Sequence, residues 1–310
     1  GATVGWTPSS DIVNAFDHGN PPTQKAIFGY GRNGSNLSLS NLVSSSGVVA
    51  ADVTGVGSAR NGLAAAGYGG DKAIFGYGND GSRASMTNLV SNSGVVATNT
   101  TGVGSVRVFL AACSYGTDKA IFGYGSDAPG SYISTTNLVS NSGVVSSNVT
   151  GVGTGRSDLA AATYGTDKGI FGYGDTNGSG SDVSLTNLVS NTGVVASDTT
   201  GVGTQRRDLA AASYGGDKAI FGYGRNGGLG SITNLVNNTG VVASDTTGVG
   251  TARERLAASS YGGDKAIFGY GGAYVSLTNL VSNTGVVASD TTGVGTARAD
   301  LAAAGYSSSA

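Results

Sequence analysis

The heptapeptide Lys-Ala-Ile-Phe-Gly-Tyr-Gly, or a one-residue variant of it, starts at Lys25, Lys72, Lys119, Lys168, Lys218 and Lys265, at spacings of 47, 47, 49, 50 and 47 residues. Asn-Leu-Val follows in every copy, from Asn41, Asn88, Asn137, Asn187, Asn234 and Asn279, and an arginine closes each: Arg60, Arg107, Arg156, Arg206, Arg253 and Arg298. A period in the forties belongs to propeller blades or to helical arrays. Glycine decides between them. The 55 glycines of this 310-residue chain are about two and a half times the usual share of roughly 7%. No glycine-free run exceeds 13 residues. Glycine costs about 1 kcal/mol relative to alanine inside a helix, and no segment has the 3.6-residue apolar period that would offset it. The chain therefore reads as all-β, one domain with an N-terminal extension over residues 1–24.

The fifth unit shows the expected layout. Leu209 to Tyr214 is a short apolar run ended by the turn signal Gly215-Gly216-Asp217, and Lys218 to Gly224 resumes as a second strand. Ser231 to Val236 reads as a third strand, Asn237 to Gly240 as a turn, and Val241 to Asp245 as a fourth. Each unit is thus a four-stranded antiparallel meander with apolar residues on both faces. It cannot bury them alone, so units must stack, and a ring of units leaves only short edges.

The order of arginine, small apolar strand, Gly-Gly-Asp-Lys, apolar strand ending in Gly-Tyr-Gly, third strand, Asx-Thr-Gly turn and fourth strand resembles a kelch-type blade over residues 25–306. It departs from that pattern where Gly222-Tyr223-Gly224 replaces an adjacent glycine pair and where Val241 stands for an aromatic residue. The resemblance implies a six-bladed β-propeller over residues 25–310, with a core of Ala, Val and Leu. Six copies of the second to fourth strands exist, and Leu301 to Tyr306 is an orphan first strand. It is expected to clasp the ring by pairing with Lys25 to Gly31. Ile12 to Phe16 is the competing donor, behind a connection too long for the usual turn.

The copies differ in two places. One is the loop between strands two and three, with Arg32, Asn33, Asn79, Asp80, Arg83, Asp127, Tyr132, Asp175, Asn177, Arg225, Asn226 and Tyr274. The other is the pair after each closing arginine: Asn61-Gly62, Val108-Phe109, Ser157-Asp158, Arg207-Asp208, Glu254-Arg255 and Ala299-Asp300. In a four-stranded meander both lie at one end, opposite the invariant turns. Constant strands carrying varied loops on one rim form a recognition surface. The ligand-binding candidates are the twelve loop residues together with Phe109, Arg207 and Arg255. Unconstrained drift of the loops is the competing explanation. Against it, the loops hold both tyrosines outside the repeat positions and most of the non-repeat arginines, which interfaces favour.

Other chemistry is poorly supplied. Seventeen basic and 19 acidic residues leave no cationic patch for nucleic acid, and no transmembrane run is present. The chain has no initiator methionine, Met86 being its only one, and reads as a processed product or a trimmed piece. One histidine, His18, and one cysteine, Cys113, cannot assemble a zinc or copper site of the usual kind; Cys113 reads as a small buried filler, and no cofactor is expected. Gly29-Tyr30-Gly31-Arg32-Asn33-Gly34 matches Gly-x-Gly-x-x-Gly, but a dinucleotide fingerprint needs a helix after the glycines. Recurrent Asp52, Asp198, Asp245 and Asp290, replaced by Asn99 and Asn148, suit side-chain-to-backbone turns better than calcium. A glycosidase needs two facing carboxylates, and no pair stands out. The repeat arginines and the Asp-Lys pairs read as structural, and twelve of the fourteen tyrosines occupy two repeat positions where they are expected to pack between blades or cap strand ends.

The wording of the repeats, as in Lys-Ala-Ile-Phe-Gly-Tyr-Gly and Asn-Leu-Val-Ser-Asn-Thr-Gly-Val-Val, is similar to repeat proteins of tailed bacteriophages and marine viral metagenomes. That similarity implies a non-enzymatic virion surface component, a fibre, appendage or decoration, located on the virion or outside the cell. Its partners would be a host-surface glycan or protein at the varied loops and other virion proteins at residues 1–24, without membrane insertion. The rival is a secreted multivalent lectin that stacks sugars on the repeated tyrosines.

Overall fold

The computed structural model describes residues 24–178 and 180–307; the competing strand Ile12 to Phe16, His18 and the rest of the expected tether before Gln24 lie outside the described residues. The architecture is all-β, with no helix among the described residues. It consists of repeated three-stranded antiparallel sheets. Sheet 1 joins Ala302–Tyr306, Lys25–Gly29 and Ser40–Val43, and sheet 2 joins Ala64–Tyr68, Lys72–Gly76 and Thr87–Val90. Sheet 3 is built from Ala111–Tyr115, Lys119–Gly123 and Thr136–Val139, and sheet 4 from Ala160–Tyr164, Lys168–Gly172 and Thr186–Val189. Ala210–Tyr214, Lys218–Gly222 and Thr233–Val236 make sheet 5; Ala257–Tyr261, Lys265–Gly269 and Thr278–Val281 make sheet 6. The C-terminal strand takes the place expected of it, with Lys25 opposite Tyr306 and Gly29 opposite Ala302.

The expected fourth strand is not a strand. In the fifth unit Val242 and Thr246 touch Val236 and Thr233 only as isolated bridges. The reason is the asparagine of Asn-Leu-Val. Asn234 Nδ2 donates to Ala243 O at 3.0 Å and to Asp245 Oδ1 at 2.9 Å. A side chain thus satisfies backbone that a continuous ladder would otherwise pair, and the segment is joined to its neighbour by only a few backbone bonds, such as Ala243 N to Leu235 O and Thr246 N to Thr233 O, each at 2.8 Å.

The middle strand of each sheet is apolar on both faces because both faces are covered. Ile27 packs into the core shared with sheet 2, and Ala26 and Phe28 into the core shared with sheet 6; all three are fully buried. The expected core of Ala, Val and Leu is therefore corrected: Phe and Tyr fill every interface. Tyr30 meets Phe75, Tyr77 meets Phe122, and so on round to Tyr270 against Phe28, with ring centroids 5.0 to 5.1 Å apart. Each such pair adds about 0.5–1.5 kcal/mol beyond area burial. The glycine before each tyrosine makes the room: a Cβ on Gly76 would stand 2.6 Å from Phe122 Cζ.

The closing arginines are the second fastening. Arg156 lies 4.5 Å over the Tyr124 ring of sheet 3, while its Nε donates to Tyr173 O and its Nη2 to Asn187 Oδ1 of sheet 4. The same stacking recurs from Arg60 over Tyr30 to Arg298 over Tyr270, at 4.3 to 4.5 Å. A desolvated guanidinium on an aromatic face is worth about 2 kcal/mol. The recurrent aspartates form a third fastening, between units, where a turn within one unit was expected. Asp198 accepts from Thr154 N at 3.0 Å and Thr154 Oγ1 at 2.6 Å in the preceding unit, and Asp52 does the same with Thr296.

Candidate functional site

Two hydrogen-bond cycles show which ends of the units lie together. At the invariant end, Gly69 N donates to Asp118 O, Gly116 to Asp167, Gly165 to Asp217, Gly215 to Asp264, Gly262 to Gln24 O and Ser307 to Asp71, each at 2.7 Å. The side chains add to this, as where Asn92 Nδ2 reaches Asp71 Oδ2 at 3.1 Å and Lys72 Nζ reaches Asp71 Oδ1 at 2.6 Å.

At the other end the second residue after each closing arginine takes part. Phe109 N donates to Gly62 O, Asp158 to Phe109, Asp208 to Asp158, Arg255 to Asp208, Asp300 to Arg255, and Gly62 N back to Asp300 O, at 2.8 to 3.0 Å. All six are left-handed, with φ from 53° to 60°. Only glycine adopts this without cost, so the five side chains are held there by the cycle. The first residue of each variable pair meets the loop of the same sheet: Asn61 bridges Asn79, Val108 bridges Ser126, Ser157 bridges Asp175, Arg207 bridges Arg225 and Ala299 bridges Arg32. In the sixth unit Gly272 N donates to Glu254 O at 2.6 Å. Both variable places therefore occupy one end.

Inside the left-handed cycle is a cavity of about 100 Å³, lined by Phe109, Asp158, Asp208, Arg255 and Asp300 above a layer of leucines. Burial raises the Asp158 carboxyl well above the usual carboxylate range, and the neighbouring Asp208 charge pushes it the same way. Asp208 rises to about 6 through burial, tempered by Arg255. Asp300 is also raised by burial, against Arg255 and Arg32. Arg255 Nε lies 3.5 Å from Asp208 Oδ1 and 3.8 Å from Asp300 Oδ1. The mouth of the cycle thus offers carboxyls that protonate more readily than usual, one guanidinium and an aromatic ring to anything that approaches. The sequence marks these aspartates only by their shared position after the closing arginines, where Phe109, Arg207 and Arg255 are the residues that stand out by type.

The loop candidates divide into engaged and available. Arg32 Nε is 2.6 Å from Asp300 Oδ2, Arg83 Nε donates to Ser126 O, and Arg225 Nη1 is 3.2 Å from Glu254. Arg207 Nη1 reaches Asp182 at 2.8 Å and the buried Asp175 at 3.3 Å, whose Oδ1 also accepts from Asn177 N and Gly178 N. These residues brace the rim. Asn79 Oδ1 and Asp80 Oδ1 hold their own turn through Gly81 N and Ser82 N. Asp127 and Tyr132 are half-buried on the third loop, while Asn33, Asp80, Asn177, Asn226 and Tyr274 are exposed. The Gly-x-Gly-x-x-Gly stretch from Gly29 runs into a hairpin, Arg32–Asn33 with Ser35–Asn36, with no helix to meet a pyrophosphate. All twelve repeat tyrosines are at most 4% exposed, so none offers a ring face to solvent. No protein-family model matches the chain, and no curated protein matches it in sequence.

Proposed function

We propose that this chain is a six-bladed β-propeller of kelch-like layout serving as a non-catalytic recognition module. Its place would be the surface of a tailed-phage virion, as a fibre, appendage or decoration. The fold reading is supported by the cyclic stacking, in which Tyr270 of sheet 6 packs on Phe28 of sheet 1 as every other tyrosine packs on the next phenylalanine. The functional reading rests on one observation: the two most varied places, the loops between strands two and three and the pairs after the closing arginines, are bridged to each other at one end, around the mouth lined by Phe109, Asp158, Asp208, Arg255 and Asp300. Six unlike loops around one mouth make a single composite site, fitting one host-surface glycan or protein per chain. A lectin with one tyrosine-lined site per unit loses its support, because those rings are buried between sheets.

The test is a glycan-array and whole-cell binding measurement on the native chain beside a version whose six varied loops are replaced by one common loop. Binding with a stoichiometry of one, lost on loop replacement, is the expected result. Tight binding that survives replacement, or several equivalent tight sites per chain, would refute the reading; weak millimolar binding of a free monosaccharide bears on neither outcome.

A further inference from the structure

A larger cavity, about 220 Å³, lies at the invariant end. The fourth residue of each first strand lines it: Gly67, Ser114, Thr163, Ser213, Ser260 and Gly305. These positions differ between units, whereas the tyrosine that follows is the same in all six. The hydroxyls are oriented. Ser114 Oγ donates to Gly67 O at 2.8 Å, Thr163 Oγ1 to Ser114 O at 2.9 Å, and Ser213 Oγ to Thr163 O at 2.8 Å. A hydroxyl has one proton and two lone pairs, so these three can only accept from a molecule placed in the cavity.

The cavity is one-sided. The two glycines stand on neighbouring strands, Ala302–Tyr306 and Ala64–Tyr68. Beside them the Gln24 amide nitrogen lies 2.6 Å from where a Cβ on Gly305 would stand, which adds N–H donors to a wall of acceptors. Among the described residues no carboxylate lines the space, and the one ionised group, the Lys72 ammonium, is already held by Asp71 at 2.6 Å. An ion entering here would find no free countercharge. The volume is below the roughly 300 Å³ at which drug-sized pockets begin and is enough for about seven waters at ~30 Å³ each. Several outward hydroxyl donors, no charge and the bulk of one ring meet these conditions.

We propose that this cavity binds one neutral polyol of monosaccharide size, independently of any ligand at the varied face. The experiment is calorimetric titration of the full chain with D-glucose and myo-inositol, beside the charged comparators D-glucosamine and D-glucuronate. One site per chain with a millimolar Kd for a neutral probe is expected, weakened about tenfold or more by Thr163→Val and severalfold by Gln24→Ala. The Gln24 change lies outside the strands and keeps the test decisive if Thr163→Val does not fold. No heat from either neutral probe at about fifty times a 1 mM Kd, tighter binding of a charged comparator, or unchanged affinity in the folded variants would each overturn the proposal.

Discussion

Asp198 and Thr154 belong to different units, and the two change together along the chain. Asp52, Asp198, Asp245 and Asp290 each take a threonine hydroxyl at 2.6 Å. Where asparagine stands instead, at Asn99 and Asn148, the partner is a serine, and the bond runs the other way, from Asn Nδ2 to Ser58 Oγ or Ser105 Oγ at 2.8 Å. Donor and acceptor are exchanged as a pair. Asp198→Asn alone should cost about 1–2 kcal/mol by removing charge-assisted bonds. Adding Thr154→Ser should recover part of it, so a double-mutant cycle by urea unfolding should give a coupling of at least about 0.5 kcal/mol; strict additivity would count against the pairing. Cys113 shows the same compensation in a core. It stands where other units have Ala or Ser, and a Cβ on the facing Gly169, which replaces the usual alanine, would lie 2.5 Å from its Sγ. Burial pushes this thiol up to about 12, so it is a filler rather than a nucleophile.

The hairpin elements were legible because their punctuation is local: Gly-Gly-Asp-Lys turns one strand into the next in the register Tyr214 opposite Lys218. The fourth strand was misread because valine-rich composition and a preceding turn look alike whether or not the ladder forms, and what prevents it is Asn234, a residue on another strand. The burial of the repeat tyrosines is legible in the same way, but their dominance over Ala, Val and Leu in the core is not, for a related reason. Gly-Tyr-Gly looks like a strand end, yet Tyr77 is held at φ 65° so that its ring returns to the interface. The preceding glycine, not an aromatic pattern, is what lets the sheets approach. Gly76→Ala must displace Phe122 and should destabilise the protein by about 2 kcal/mol or more through overpacking. Thermal unfolding checks this, and an unchanged Tm would contradict the stacking described.

Acidic groups act on the whole molecule in opposite senses. Asp208 is raised to about 6 and Asp158 and Asp300 are raised as well, chiefly by burial. A carboxyl whose folded pKa exceeds its unfolded value, about 3.9, contributes stability that is full below that value and is lost as pH rises through the folded pKa. The pairing aspartates behave in reverse: burial raises Asp198, but its hydrogen bonds from Thr154 and Asn187 more than offset this and leave it lowered. Their contribution is present above about pH 4 and fades on acidification. Stability should therefore be greatest at about pH 4, falling on acidification as the pairing aspartates protonate and falling again as pH rises toward about 6 and the unfolded chain alone sheds its protons. Asp208→Asn should gain on the native chain, on the order of 2–3 kcal/mol, as pH rises from about 4 to 7. Guanidinium unfolding across that range is the check, and parallel curves would rule the mechanism out. From the sequence one could place the varied residues at one end, but not foresee that three aspartates would be pressed together there, since that depends on how narrowly the strands converge.

The pairing of Lys25–Gly29 with Ala302–Tyr306 also sets a clock. At roughly 5–20 residues per second of synthesis, the strand that receives the clasp emerges about 15 to 55 s before the strand that supplies it. During that interval the first sheet has an open edge, and nascent chains on one messenger carry near-identical strands that could fill it. The tandem copies would then compete with the chain's own last strand, so crowding of ribosomes, rather than the stability of the finished molecule, would limit the yield of correctly closed protein.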